Sequence, residues 1–413
     1  MNREVVITGT GVVSPLGDSR GEVHEALCAG QTALKSVQGF DTPGIEPPLA
    51  GEIADFDPVA YLGSRNLRPL DRTSKLLTTA AKLAAEDSGW TAEMLAEHDV
   101  GLVVGTMFCS AHTISQFDQR GLREGPSRAS PLDFANTVIN AASGQAAIWH
   151  KLSGLNSTIS AGSTSGLQAL AYAVDMIRSG RATALLSGGV EELCYETFFG
   201  FYNSGSLCNS PGRDQPMPVP FDTRRNGFFL SEGAALLMLE EAESAAARGA
   251  RVLAEIKGHG SAFDCRSSSR ADGHSELLAD AIVRAVQAAL DDAGLTAADV
   301  QAVSASANGS RADMTEATAL AQTFNGQTDR LPVTAIKRML GDQLGAAGAM
   351  QTIDMVETIH DQRLPGIHGL EDVEGTLPGS VSDLTREFEV ETALVNSVGL
   401  DGNCCSLVIA AHS

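Results

Sequence analysis

The chain has 413 residues, 43% of them hydrophobic and only 5% aromatic, enough to bury a large core built mainly from Ala, Leu, Val and Ile. A formal charge of −22 argues against a phosphate backbone as partner, so nucleic acid is not expected to bind. Seven cysteines, an odd number with no C-x-x-C pair, argue against a disulfide framework or a metal site and predict a reducing compartment. The first residues lack a charged-then-apolar signal pattern, and no uninterrupted apolar run is long enough for a membrane span. A soluble, cytoplasmic protein is expected.

In chain order, EVVITGTGVVSPLG (4–17) predicts a buried strand and a loop. SKLLTTAAKLAAEDSGW (74–90) has helical spacing and ends near Gly89. VGLVVGTM (100–107) is a buried strand, SGLQALAYAVDMIRSG (165–180) a helix closed by Gly180, and ATALLSGGVEEL (182–193) another strand. GAALLMLEEAESAAARG (233–249) runs from strand into helix, and SELLADAIVRAVQAALDDAG (275–294) is a long helix. Later strands are expected in VQAVSASANGS (300–310), LPVTAIK (331–337) and TALVNSVG (392–399). This alternation predicts an α/β fold with parallel sheets covered by helices.

Two stretches echo each other. AAEDSGWTAEML (84–95) and ALDDAGLTAADV (289–300) each give a helix end, a glycine, a Thr-started short helix and then a strand. Their separation by half the chain predicts a duplicated architecture, with halves at 1–250 and 251–413 packed as one body.

STISAGSTSG (157–166) predicts a short strand, a sharp small-residue turn and a helix start, a place suited to a nucleophile. It offers Ser163, Thr164 and Ser165, and no cysteine. RNLRPLDRTSK (65–75) gathers Arg65, Arg68, Arg72 and Lys75 in an acidic chain, which suits either a solvated or interface loop or the steering of an acidic partner. Cys109, Cys404 and Cys405 are expected to be buried packing residues.

The most specific stretch is VPFDTRRNGFFLSEGAALLMLEE (219–241), which resembles the signature P-F-D-x-x-R-x-G-F-x-x-x-E-G-A of the β-ketoacyl synthase family. REVVITGTGVVSPLG, LDRTSKLLTTAAKLAAEDSGW, SGLQALAYAVDMIRSGRATALLSGGVEE, KRMLGDQLGAAGAM and ALVNSVGLDGNCCSLV resemble the same family in the right order, across essentially the whole chain. The resemblance implies the thiolase fold, a five-layered α-β-α-β-α body of two similar halves that dimerises. Active members take an acyl group from a carrier-protein thioester onto a cysteine, and two histidines promote decarboxylation of a malonyl unit. The thiolate needs a helix N-terminus, and the enolate needs neutral imidazole donors.

Carried over motif by motif, Ser163 stands for the cysteine, Asn308 in SANGS for the first histidine, and Asp342 in KRMLGDQLGAAG for the second. Ser163 is a poor nucleophile without a base, Asn308 is no ordinary acid or base, and Asp342 is an anion where an enolate oxygen would form. In the C-terminal motif, Val398 and Leu400 replace two phenylalanines and Asp401 replaces a glycine, so the gate over the acyl pocket and its oxyanion region are altered. Lys337, Asp313 and Glu316 match retained polar positions and are expected to form a buried ion network that supports the fold.

Together these replacements imply that condensation is disabled and that no catalytic residue remains for it. The resulting expectation is a chain length factor (a KSβ-type subunit) of a type II polyketide or polyene system. It would pair with an active ketosynthase, meet an acyl carrier protein and its phosphopantetheine arm, hold no cofactor of its own, and shape the acyl tunnel. Two alternatives stand beside it: an acyltransferase or hydrolase using Ser163 as acyl acceptor, and a non-catalytic homodimer that binds acyl carriers.

Overall fold

Strand β1 (Val5–Val13) is buried along its whole length, as its apolar run predicts. In this computed structural model, which describes residues 3–412 apart from 44, 46, 47, 209, 211, 213–216, 266–275, 326–330 and 376–379, β1 lies near the middle of a ten-stranded sheet. The other strands are β2 (Gly101–Gly105), β3 (Asn156–Ile159), β4 (Ala184–Glu191), β5 (Gly233–Glu241), β6 (Ala254–Phe263), β7 (Ala302–Ser304), β8 (Val333–Thr334), β9 (Thr392–Val398) and β10 (Asn403–Ala410). They lie in the order β8-β7-β9-β10-β6-β1-β5-β4-β2-β3.

The seam between halves is thin: β1 and β6 share only the pairs from Val5–Ile256 to Ile7–Ala254. On each side five strands repeat one pattern. In the first half β1 is antiparallel to β5 and β5 to β4, while β4, β2 and β3 run parallel. In the second half β6 is antiparallel to β10 and β10 to β9, while β9, β7 and β8 run parallel. The sheet is therefore mixed, which corrects the expectation of parallel pairing throughout. The reason is local at β9 and β10: only residues 399–402 join them, too few for a helical crossover, so they must pair antiparallel.

The longer helices are α1 (Arg20–Cys28), α2 (Arg72–Asp87), α3 (Ala111–Glu124), α4 (Ala141–His150), α5 (Ser165–Arg178), α6 (Tyr195–Asn203), α7 (Glu276–Ala293), α8 (Ala312–Thr323) and α9 (Ala347–Asp361). Leu170 and Val174 of α5 and Ile353 and Val356 of α9 share one core with Val103 and Leu237 of the first half-sheet and Val395 and Leu407 of the second. Leu77 and Ala84 of α2 and Ala146 of α4 pack with Leu186 and Met238 on the far face of the first half. Ile282 and Val286 of α7 and Leu320 of α8 pack with Val303 and Val408 on the far face of the second. Helix, half-sheet, helix, half-sheet, helix is the five-layered thiolase-like arrangement, with α5 and α9 in the middle. The echoing stretches fall in equivalent places: α2 leads past Gly89 and Thr91 to β2, and α7 leads past Gly294 and Thr296 to β7.

Candidate functional site

The loop from β3 to α5 forms a hydroxyl-tied elbow. Gly162 takes φ +60°, a left-handed value that favours glycine. Thr164 Oγ1 donates to the Ala161 carbonyl at 2.7 Å, and Ser165 Oγ donates to the Gly162 carbonyl at 2.6 Å while accepting the Ala161 N–H at 2.9 Å. The elbow packs down because Gly105 lies behind it, where a Cβ would sit 2.2 Å from the Ser165 carbonyl carbon. Ser163 is half-buried at the tip, and its Oγ reaches only the Val398 carbonyl, at 3.5 Å.

Asn308 and Asp342, 34 residues apart, meet directly: Asn308 Nδ2 donates to Asp342 Oδ2 at 2.8 Å. Lys337 Nζ approaches the same oxygen at 3.4 Å, and the Leu344 N–H donates to Oδ1 at 2.9 Å. Asp342 is buried, so an ion pair and two neutral donors hold its charge. Its backbone is stitched to the signature segment: its N–H donates to the Phe229 carbonyl, and its own carbonyl accepts the Ser231 N–H. In the same segment, Asp222 accepts the N–H groups of Arg224, Glu371 and Asp372. The Arg224 guanidinium holds the Asp222 carboxyl well below the usual carboxylate range.

The polar residues Lys337, Asp313 and Glu316 do not form one ion network, which corrects that expectation. Asp313 accepts the backbone N–H groups of Asn308 (3.1 Å) and Gly309 (3.0 Å), and Glu316 Oε1 accepts those of Ser306 (2.8 Å) and the Asn396 side-chain amide (2.6 Å). Backbone amides thus occupy these carboxylates, and Lys337 turns to Asp342. Burial pushes Asp313 up to about 6 and Glu316 up to about 7, against the pull of the amide donors.

The altered gate closes the site from the other half. The Val398 N–H donates to Ser306 Oγ at 2.9 Å, and Leu400 is 47% exposed. Asp401 folds its carboxylate back over the elbow: a Cβ on Gly162 would lie 2.5 Å from Asp401 Oδ2. The Asn403 side-chain amide and N–H hold that carboxylate at 2.8 and 3.2 Å. Ser163, Asn308, Asp342, Asp313, Glu316, Val398, Leu400 and Asp401 all line one cavity of about 70 Å³, walled on one side by Phe201 and Phe228. No histidine or cysteine is among its lining residues. Burial pushes the Cys109 thiol up to about 11 and those of Cys194 and Cys405 up to about 12, and it raises Cys404 too, so these are inert packing thiols.

Sequence reasoning did not single out Glu191. It ends β4 fully buried, and it accepts the N–H groups of Met107 (2.7 Å), Phe108 (2.9 Å), Cys109 (3.1 Å) and Gly345 (3.2 Å). It thereby ties one wall of the cavity to the turn after Asp342. The available signal was a glutamate closing an apolar strand in GGVEEL. The basic stretch is also divided. Arg65 and Arg68 are exposed, but Arg72 is committed inward, with Nε 2.7 Å from Oε2 of the fully buried Glu232.

Two family models cover most of the chain: the β-ketoacyl synthase N-terminal domain over residues 2–245 and its C-terminal domain over residues 253–371. The chain belongs to the β-ketoacyl synthase family. A 3-oxoacyl-[acyl-carrier-protein] synthase 2 of Coxiella burnetii is 33% identical over 412 residues, covering 99% of this chain and 98% of that one. The ishigamide ketosynthase/chain length factor structure superposes with a TM-score of 0.91 at 29% identity, covering all of both chains. A β-ketoacyl synthase of Burkholderia phymatum superposes with a TM-score of 0.88 at 28% identity, again over both whole chains. Among the described residues of this family member, no helix is long and apolar enough to cross a membrane, and no cluster of side chains fits a metal ion.

Proposed function

We propose that this protein is a non-condensing ketosynthase-like subunit, a chain length factor, that pairs with a cysteine-bearing ketosynthase and shapes the acyl tunnel of a polyketide or polyene system. The observation that carries this reading is the 2.8 Å bond between Asn308 and Asp342. The groups at the two histidine positions are turned toward each other and Lys337: one Asn308 N–H is committed to Asp342, and the Asp342 carboxylate has no proton to donate to a forming enolate. Ser163 has no base on its hydroxyl, and the elbow that would present a nucleophile is otherwise intact. A similar structure of 29% identity is itself described as a ketosynthase/chain length factor. The substrates of the pair would arrive on the phosphopantetheine arm of an acyl carrier protein.

The test is co-expression with a cysteine-bearing ketosynthase from the same gene neighbourhood. A soluble heterodimer that elongates carrier-bound acyl chains is expected, with no elongation by this subunit alone. Failure to co-purify would overturn the reading. Incubation with acyl-carrier thioesters followed by intact-mass measurement separates it from ester chemistry at Ser163. No adduct is expected; a stable adduct that disappears in Ser163→Ala would replace the proposal with an acyltransferase.

A further inference from the structure

Asp401 is a solvent-exposed carboxylate at the elbow with no cation beside it among the described residues. Asp342 has Lys337 at 3.4 Å. Asp401 instead bonds only the neutral Asn403 amide and N–H, and no ion pair to it forms among the described residues. Its position is equally specific. A Cβ on Gly162 would lie 2.5 Å from Oδ2, and one on Gly399 would lie 2.2 Å from Oδ1, so the exposed carboxylate lies against both the elbow and its own turn. Glycine at both positions makes that placement sterically possible. The site lies where α5 begins, and the helix dipole favours a negative group there. The chain supplies that anion itself, from the turn between β9 and β10, against Gly162, the residue before Ser163.

A carboxylate held there repels a second one. We propose that Asp401 is a specificity-determining residue that bars acyl units bearing a free carboxylate, such as malonyl, from the cavity of this subunit, while leaving neutral acyl units unopposed by charge. This rests on the proposed pairing, in which carrier-borne units reach both subunits. Asp401 would then direct the anionic extender to the partner's site. The discrimination is electrostatic, so it depends on the charge of residue 401 and weakens in salt.

The experiment places a reporter at the elbow with Ser163→Cys and compares alkylation by iodoacetate, an anion, with alkylation by iodoacetamide, its neutral counterpart. In each case the thiolate sulfur attacks the methylene carbon, a C–S bond forms and iodide leaves. The ratio of the two rates cancels changes in thiolate fraction, and the exposed Cys265 serves as reference in the same digest. Adding Asp401→Asn should raise the iodoacetate/iodoacetamide ratio at the elbow about three- to tenfold, whereas Asp401→Glu should leave it low. High salt should raise the ratio more in the Asp401 protein than in the Asn variant, where only the thiolate and the net charge of −22 still oppose iodoacetate. A ratio that changes by less than about twofold in Asp401→Asn overturns the proposal, since a carboxylate in contact with the elbow must exceed that even at a water-like dielectric. A thiol inert to both reagents in both proteins also overturns it, because the cavity would then exclude by shape. The readout uses this subunit alone. A failed alkylation result therefore leaves the pairing standing, and failed co-purification leaves the charge discrimination standing.

Discussion

Lys337 and Asp342 form a buried pair whose members are worth little together and much apart. Removing one leaves the other charged and desolvated, so Asp342→Ala should destabilise the protein by about 3–5 kcal/mol in urea unfolding. Lys337→Met combined with Asp342→Leu should recover at least half of that loss, because no lone charge remains. A loss below about 1 kcal/mol for Asp342→Ala would show the pair to be solvated. The motif made Lys337 and Asp342 legible as positions but not as partners, because Asp313 and Glu316 looked equally available to the lysine. What decides the pairing is the backbone of 306–309, whose N–H groups hold Asp313 and, with the Asn396 amide, Glu316. Nothing in a side-chain pattern reports that. Asp401 was visible only as a lost glycine, because the inward fold of its carboxylate depends on Gly162 and Gly399 being in reach.

Among the elements, β3 is the outer strand of the first half-sheet and pairs only with β2. The segment before α4 exposes Leu132, Phe134, Val138 and Ile139, an apolar set that a lone soluble chain has no reason to display. On the proposed pairing, these side chains would form part of the partner interface. Phe134→Asp with Val138→Asp should abolish co-purification with the ketosynthase while lowering the unfolding free energy by only about 1 kcal/mol, since both are exposed and Phe134 loses its ring contact with Phe117. Pull-down at the parental level would move the interface elsewhere. Most elements were legible from their periodicity, but β6 was missed. Its sequence AEIKGHGSAF alternates buried residues with Glu255, Lys257 and His259, and two glycines dilute the apolar signal further. The packing explains those glycines. A Cβ on Gly258 or Gly260 would lie 2.4 or 2.2 Å from carbonyl oxygens of α7, and one on Gly9 or Gly11 of β1 would lie 2.5 Å from the Ser88 nitrogen after α2 or 2.0 Å from the Ala80 carbonyl oxygen within it. The same close strand–helix contact is built twice, so the duplication is written in glycines as well as in strand order.

Across the whole molecule, buried carboxyls set how stability responds to pH. Burial pushes Glu191 up to about 7, Glu192 up to about 8, Glu316 up to about 7 and Asp313 up to about 6, from ordinary values of 4.5 for Glu and 3.8 for Asp. A group raised in the folded state keeps its proton there after the unfolded chain has lost it. Its contribution is fully present below the unfolded value and is lost as pH rises through the folded one. Each such group costs up to about 1.4 kcal/mol per pH unit inside its window. His24 acts in the same direction. Burial opposes its charge, but hydrogen bonds to Asp354 and Cys28 hold the imidazole up at about 10, so its contribution declines above 6.5. The formal charge of −22 adds self-repulsion at neutral and higher pH. Asp222 works oppositely: its contribution is present above 3.8 and is lost as pH falls below that, which bounds stability on the acid side. The melting temperature should therefore be highest near about pH 4 and fall steadily to pH 8. Scanning fluorimetry across that range checks it, and a midpoint that rises from pH 5 to 8 would contradict the burial argument. Glu192→Gln should flatten the upper part of the decline, because the amide oxygen still accepts the His112 N–H, at 3.0 Å in the parent, and carries no charge to desolvate.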